Sequence, residues 1–544
     1  MQYVKDTLGS IVDRKCGEFK NREAMVFASD NIRLTYSSFR VLYDSLAKAL
    51  YHLGIRKGHH IAIMSVNSPY WLALQIAAAK LGAVFVCLNT AYTENELEYV
   101  LNHSESTAVI LASGHSKVPF LSIFKKICPE LETSPRAALK CERLPLLKSV
   151  ITDGKTPSPG TFTLNELVAA GSLLPNSILE KSAQALSCRD VVNIQYTSGT
   201  TGKPKAVLST HYTMINNAIV GGKNMNYTPD DRLLLCLPLF HVIGCVLSGI
   251  LALLYGSTLV IVERFQTDQV LELLEKEKCT AINAVPTMFH FVMSSPKLRV
   301  EKLPALRKGF IAGSYCPPAL MQDIMTKLHI AELSNVYGQT EAIAITQTVS
   351  SDSLEHRLET IGRPLEGVEA RIMDIQTHEA AECGASGELC VKSEYVMCGY
   401  LKNRAATEKA IDPDGWLHTG DLASMDREGY IRIMGRMKEI IIRGGENISP
   451  IEIEDTLKSY QGVKDAVAIG VPDSILGEEI CALVIPSDPK LSLTDLLEYA
   501  KNRLARYKVP KYLKIVKEFP LTSNGKVQKI ILKEQMIKEY ALKK

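Results

Sequence analysis

The densest chemistry in the chain is the run Thr197-Ser198-Gly199-Thr200-Thr201-Gly202-Lys203-Pro204-Lys205, which crowds hydroxyls, glycines and two ammonium groups into one helix-poor segment. Glycine lets backbone N–H groups approach an anion closely, Ser and Thr add hydroxyl donors, and lysine adds charge. The run reads as a phosphate cradle, or as an ordinary polar loop, because the same residues mark loops in general. It is not the P-loop of kinases and ATPases. That motif places about four residues between its glycines and a Ser or Thr after the lysine, whereas Gly199 and Gly202 enclose only Thr200-Thr201 and Pro204 follows Lys203.

Further groups could complete a nucleotide site. Tyr337-Gly338-Gln339-Thr340-Glu341 offers an aromatic ring that can stack on a base and a carboxylate that can hold a magnesium ion bridging phosphates, or it is a turn between strands. Asp421, after Thr419-Gly420, has two acceptor oxygens suited to a pair of ribose hydroxyls, and equally to capping a turn. Arg436 and Lys438 sit at an expected domain junction, just after Gly435, which permits bending, with Gly444-Gly445-Glu446-Asn447 close behind. Near the end, Pro520-Leu521-Thr522-Ser523-Asn524-Gly525-Lys526 lifts a lysine on a turn. The other familiar chemistries find no support: His378-Glu379-Ala380-Ala381-Glu382 lacks the second histidine of a zinc-protease helix, and no G-x-S-x-G elbow occurs.

The elements that must position these groups alternate. A helical pattern through Leu42, Leu46, Ala49 and Leu50, a strand Ile61 to Ser65, a helix opened by Asn67-Ser68-Pro69 and running Trp71 to Leu81, and a strand Ala83 to Leu88 predict a largely parallel α/β sheet. Residues 113–185 read as irregular. The strand Val191 to Gln195 leads into the cradle, and strands over 281–286 and 306–311 follow, so that three strand ends, at 196, 286 and 312, are expected to build one crevice. The uncharged stretch Leu233 to Val262 is broken by Pro238, Gly244, Gly249 and Gly256 and reads as strand, helix (Val242 to Tyr255) and strand, not a membrane span. Strand-like runs after Gly387 lead to Tyr430–Met434. Past Gly435 comes a βαβ-like unit (440–442, 451–459, 463–470), and the Lys526 turn follows a strand, Tyr512 to Val516. The expected organisation is an α/β fold: a large multi-sheet N-terminal domain (1–434), a hinge (435–439) and a small mobile α+β C-terminal domain (440–544).

The chain has 544 residues, more than one hydrophobic core usually spans, and 46% hydrophobic with 22% charged residues is globular composition. A net charge of +3 argues against general nucleic-acid binding, although the Lys- and Arg-rich stretch 501–517 is a solvated face or a phosphate patch. Thirteen cysteines without a C-x-x-C pair read as reduced residues of an intracellular protein, with neither a disulfide frame nor a zinc site. The N-terminus shows neither a secretory core nor a mitochondrial presequence.

Taken in order, the runs 197–205, 337–341, 419–421, 435–438 and Asn524-Gly525-Lys526 resemble the adenylate-forming, AMP-binding family of acyl-CoA synthetases, luciferases and peptide-synthetase adenylation domains. Asn89-Thr90-Ala91-Tyr92, Glu96 to Leu101, Ala312-Gly313-Ser314 with Pro317-Pro318, and Ile441 to Ile448 are similar to its medium-chain fatty acid branch, whose mitochondrial compartment the resemblance carries; the alternative is the cytoplasm. The resemblance implies ATP-dependent activation of a fatty acid to acyl-adenylate and pyrophosphate, then transfer to CoA with release of AMP. It assigns nucleotide contacts to Thr197, Ser198, Gly199, Thr200, Thr201, Gly202, Lys203, Pro204, Lys205, Gly313, Ser314, Tyr337, Gly338, Gln339, Thr340, Asp421, Arg436 and Lys526. Catalytic roles fall to Lys526, Glu341 (which also binds Mg2+), Thr200 and His241. Lys438 is the implied hinge, and Gly444, Gly445 and Glu446 face CoA. Leu237-Pro238-Leu239-Phe240-His241-Val242-Ile243-Gly244 resembles the acyl-pocket motif, with His241, Val242 and Gly244 lining it; it lacks the aspartate that amino-acid-adenylating members use for an α-amine. ATP, the acid and CoA are the expected small-molecule partners. Ala206, Tyr315 and Glu439 depart from the family pattern. An aryl-CoA ligase of the same family, or a silent nucleotide-binding scaffold, are the alternatives.

Overall fold

In a computed structural model, residues 3–114, 120–197, 204–444, 446–521 and 527–540 are described. The chain forms two compact units, one of Met1–Leu358, Gly362–Glu369 and Lys392–Leu417, the other of Glu359–Ile361, Ala370–Val391 and His418–Lys544.

The first unit carries a nine-stranded and an eight-stranded sheet. In the nine-stranded sheet, the strands Glu332–Tyr337, Lys308–Ala312, Ala281–Ala284, Arg232–Leu235, Thr258–Ile261 and Glu23–Phe27 lie side by side and parallel, with antiparallel strands only at the two ends. Both faces are buried, as parallel sheets require. Leu233, Leu235, Leu259 and Ile261 enter one core while Leu234, Cys236, Val260 and Val262 enter another. That alternation explains the uncharged stretch from 233 to 262 without a membrane, and among the described residues no helix is long and apolar enough to cross one.

The eight-stranded sheet holds His60–Ser65, Val84–Cys87 and Val191–Thr197 in parallel register. The helix between the first two, Pro69–Leu81, starts with a Ser68 side-chain cap and Pro69 in its first turn and stops at Gly82, whose φ of 71° suits glycine. Val191–Thr197 then turns back on itself: it pairs antiparallel with Lys205–Thr210, Thr197 opposite Lys205. Of the three strand ends expected to build one crevice, those before 286 and 312 come from the nine-stranded sheet and the one at 196 from the eight-stranded sheet, both within the first unit. A correction concerns 113–185, which contains the helices Phe120–Ile127, Leu164–Ser172 and Ser177–Ala183 and the short strands Ser149–Thr152 and Thr161–Thr163. The helix at 164 is announced by a capping box between Thr163 and Glu166 that the polar composition hid.

The second unit has a four-stranded and a five-stranded sheet. In the latter, Ile441–Arg443 and Val463–Asp473 are joined by the helix Pro450–Lys458, as the βαβ-like pattern predicted, but Gly477–Pro486 inserts between them, antiparallel to both. Alternate residues of its long hairpin face opposite ways: Val467, Ile469, Cys481 and Leu483 pack on Leu532 and Met536, while Ala466, Ala468, Ile480 and Ala482 pack on Ile453, Leu457 and Leu496. The expected hinge, 435–439, lies inside this unit, taking in the end of the last strand of the four-stranded sheet, Ile431–Arg436, and the 3-10 turn Met437–Glu439 that precedes Ile441–Arg443.

Candidate active site

Within the first unit, parallel register decides which loops share an edge. Ala312 is aligned with Val336, Ile311 with Ala284, and Asn283 with Leu235, so the segments leaving these strands emerge side by side at one edge of the sheet. They are 337–341, 313–314, 285–286 and 236–244. Open parallel sheets bind ligands at this edge.

The Tyr337 loop is tightly held. A side chain on Gly338 would meet the carbonyl oxygen of Ile343 at 1.9 Å, so only glycine fits there. Ile343, β-branched, sits at φ 60°, and its amide and that of Ala342 both donate to the Gln339 carbonyl. A β-branched residue in the left-handed region is held by its surroundings, and such strain concentrates at functional positions. Gln339 Nε2 donates to Tyr337 Oη at 3.4 Å. Gly313 has φ 89°, and a Cβ there would lie 3.2 Å from Val285 and 3.6 Å from Ile243, so this turn runs directly against the loop holding His241.

That loop continues into a helical segment spanning Val242–Gly244, a π-helical turn at Cys245–Ile250 and Leu251–Tyr255, in agreement with the predicted helix. The π turn has a cause: Ser248 Oγ donates five residues back to the Ile243 carbonyl at 2.9 Å, and Asn283 Nδ2 donates to Ser248 Oγ at 3.1 Å. Gly244 packs against the Pro238 carbonyl, where a Cβ would stand at 2.1 Å. The rings of Phe240 and His241 lie 4.6 Å apart.

A residue absent from the sequence reading joins the cradle to the metal candidate. Tyr400, buried, lies opposite Val207 on the strand Gly399–Tyr400. Its hydroxyl donates to Glu341 Oε1 at 2.7 Å, and Lys205 Nζ sits 4.6 Å from its ring centroid. Burial, with the Glu341 carboxylate beside it, drives the Tyr400 hydroxyl far up from its ordinary value, so it stays a proton donor. Tyr400 stands 59 residues from Glu341, and no local pattern marks it. Glu341 fits a magnesium ligand: it is an oxygen donor oriented by an outer hydrogen bond. Ser198 to Lys203, including Thr200, and Lys526 lie outside the described residues, as does Gly445. Thr197 and Lys205, on either side of 198–203, pair across two antiparallel strands, and Leu521 and Val527, on either side of 522–526, form an antiparallel bridge.

In the second unit, Asp421 and Arg436 are directly opposed on antiparallel strands, with Arg436 Nε 2.8 Å from Asp421 Oδ1. Asp421 is almost fully buried, while half of the Arg436 side chain is exposed. Thr419 fixes the approach, its hydroxyl donating to the Leu389 carbonyl and accepting from the Asp421 amide. A buried carboxylate held by one arginine is suited to receiving hydroxyl donors. Lys438 lies in the 3-10 turn Met437–Glu439, where Glu439 pairs with Lys529 at 3.0 Å. Gly444, at φ 59°, and Glu446 lie at the turn between Ile441–Arg443 and Glu446–Ile448.

The AMP-binding enzyme family matches residues 12–401, and the AMP-binding enzyme C-terminal domain matches residues 452–526. The chain is 40% identical over 543 residues to "Putative acyl-CoA synthetase YngI" of Bacillus subtilis (strain 168), covering 99% of each. It is 37% identical to the medium-chain acyl-CoA ligase ACSF2, mitochondrial, of Rattus norvegicus, covering 98% of this chain and 88% of that one. Among solved structures, ATP-bound MatB from Rhodopseudomonas palustris superposes with a TM-score of 0.85 at 26% identity, covering 98% of this chain and 99% of that one. With its two-domain fold, its relatives over nearly its full length and its matched residues, the chain belongs to the AMP-binding enzyme family, as a ligase of the acyl-CoA synthetase type.

Proposed function

We propose that the protein activates a medium-chain fatty acid: the carboxylate attacks the α-phosphate of ATP and expels pyrophosphate, and the sulfur of CoA then attacks the acyl carbon and expels AMP. The observation that carries the reading is the closeness of Val285 and Ile243 to the Gly313 turn, 3.2 and 3.6 Å from where a Cβ on Gly313 would stand, which sets apolar side chains beside the expected nucleotide loop. An acid with an apolar tail suits such walls, and no carboxylate in 237–244 is available to pair with an amine. The ACSF2 relative supports the medium-chain class, and its name supports the mitochondrial expectation.

In this reading Tyr337 stacks on adenine, Asp421 holds the ribose with Arg436 beside it, and the 197–205 loop, with Gly313, Ser314 and the 338–340 backbone, orients the phosphates. Glu341, oriented by Tyr400, holds magnesium, which neutralises phosphate charge when bound. Two anions must meet, so charge neutralisation dominates the barrier, and Lys526 supplies it at the reacting oxygens. His241 lies beside the carboxylate, Val242 and Gly244 wall the tail, Lys438 is the hinge for the second step, and Gly444 to Glu446 face CoA. Pyrophosphate release with CoA is measured across straight-chain acids of rising length and aromatic acids. A maximum at medium chain length is expected. A preference for benzoates or cinnamates overturns this reading in favour of the aryl-CoA ligase, and inactivity with every acid favours the silent scaffold.

A further inference from the structure

The four-stranded sheet of the second unit assembles three donors, two from one strand and one from another. Glu388 and Cys390 lie on the strand Ser386–Lys392 with one residue between them, so their side chains share a face, and His418 lies on Leu417–Met425. His418 Nδ1 is 2.8 Å from Glu388 Oε2 and 3.4 Å from Cys390 Sγ. One ligand atom from each residue lies within 4.8 Å of the other two.

We propose that Glu388, Cys390 and His418 form a binding site for a thiophilic divalent cation of the Zn2+ class. Three arguments support it. The first is geometric: zinc bonds of about 2.3 Å to sulfur and 2.0–2.1 Å to nitrogen and oxygen put tetrahedral donors about 3.3–3.6 Å apart. The sulfur–nitrogen separation of 3.4 Å falls in that interval, and the nitrogen–oxygen separation of 2.8 Å needs to open by about half an ångström. The second is charge: one thiolate, one carboxylate and a neutral imidazole cancel a divalent ion, so the filled site carries no net charge into a partly buried position. The third is support and access. Glu388 Oε1 accepts from the Gly420 amide at 3.0 Å, which aims Oε2 at His418, an outer-shell arrangement of the kind that orients metal ligands. Cys390 is buried, whereas the His418 side chain is 31% exposed, leaving a path for the ion and room for water as a fourth ligand.

The set differs from the other metal-like group among the described residues, Cys128, Glu130 and Cys141. Two thiolates and a carboxylate there would leave a divalent ion with a net negative charge inside a core, which is costly. The proposal is independent of the catalytic reading, because its test measures bound metal and not turnover.

The full chain, reduced and freed of metal with a chelator, is titrated with Co2+ and then Zn2+. One equivalent of Co2+ with thiolate-to-metal absorption, displaced by one equivalent of Zn2+, is expected. Cys390→Ser should abolish the absorption, and His418→Gln should weaken binding at least ~10-fold, the least cost of disturbing a metal site. Cys128→Ser should leave both unchanged. Urea unfolding of each variant checks that it is folded, and His418, being half-buried, gives a variant that tests the site if Cys390→Ser does not fold. Absence of stoichiometric binding, or absorption that survives Cys390→Ser and disappears in Cys128→Ser, overturns the assignment.

Discussion

Replacing Tyr400 by Phe removes one oxygen atom and tests whether the Glu341 carboxylate is positioned for a metal ion. The ring stays, and with it the Lys205 contact at 4.6 Å, so the strand leaving the cradle keeps its packing. The loss is the 2.7 Å hydrogen bond to Glu341 Oε1 from a residue only 8% exposed, where water is a poor substitute. A hydrogen bond to a charged group contributes about 1.5–3 kcal/mol, and outer-shell partners of metal ligands typically govern about 10–100-fold in affinity. Tyr400→Phe should therefore raise the Mg2+ concentration for half-maximal pyrophosphate release by about tenfold to a hundredfold at saturating ATP and acid. Glu341→Gln should do at least as much, and in the double variant the Tyr400 substitution should add little, since its partner is gone. A half-saturation point unmoved in Tyr400→Phe but shifted in Glu341→Gln would refute the positioning role. If neither variant moves it, Glu341 is not the metal ligand.

Other consequences follow from the same physics. Lys526→Ala should slow acyl-adenylate formation at least ~10²-fold, the range for one lost charge-stabilising donor, while transfer of a supplied acyl-adenylate to CoA suffers much less; equal losses in both steps would refute a role for Lys526 confined to the first. Asp231, fully buried, pairs with Arg307 at 2.5 Å and Lys308 at 3.2 Å. Because Lys308 is itself only 2% exposed, Asp231→Ala leaves its ammonium with the Asn226 carbonyl but without a buried counter-charge, and equilibrium urea unfolding should show about 3–5 kcal/mol lost. His211, whose Nδ1 accepts from the Leu8 amide, is pushed by burial from 6.5 to about 4. Its unfolded form takes up a proton first, so stability is full above about pH 6.5 and declines as pH falls towards 4, by about 2 kcal/mol at pH 5. In His211→Asn that share of the pH dependence between 7.5 and 5 should vanish; an unchanged slope in urea midpoints would assign it to other groups.

Much of this protein is written locally. The strands at 61, 84, 191, 281, 308 and 431, and the helix at 69, are legible because periodicity, caps and terminal glycines act over a few residues. The motif runs are legible for the same reason: Gly338 has to be glycine because its own loop folds back to within 1.9 Å of the position a Cβ would take. The chain is less legible where the signal is weak or non-local. The capping box at Thr163 was hidden in a Ser- and Pro-rich stretch, and hydrophobicity says that the strand ending at 197 is buried without saying in which sheet.

What only the tertiary structure decided is pairing across distance. Strand register set Asp421 opposite Arg436, placed the turn after 312 between those after 284 and 337, and brought Tyr400 to Glu341. It also gathered Glu388, Cys390 and His418, which the cysteine spacing had dismissed as a metal set. The physical reason is common to all of these: a side chain's neighbours along the chain are dictated by backbone geometry, but its neighbours across a sheet depend on which strands pair and in what register, and that is settled by the burial of the whole sheet.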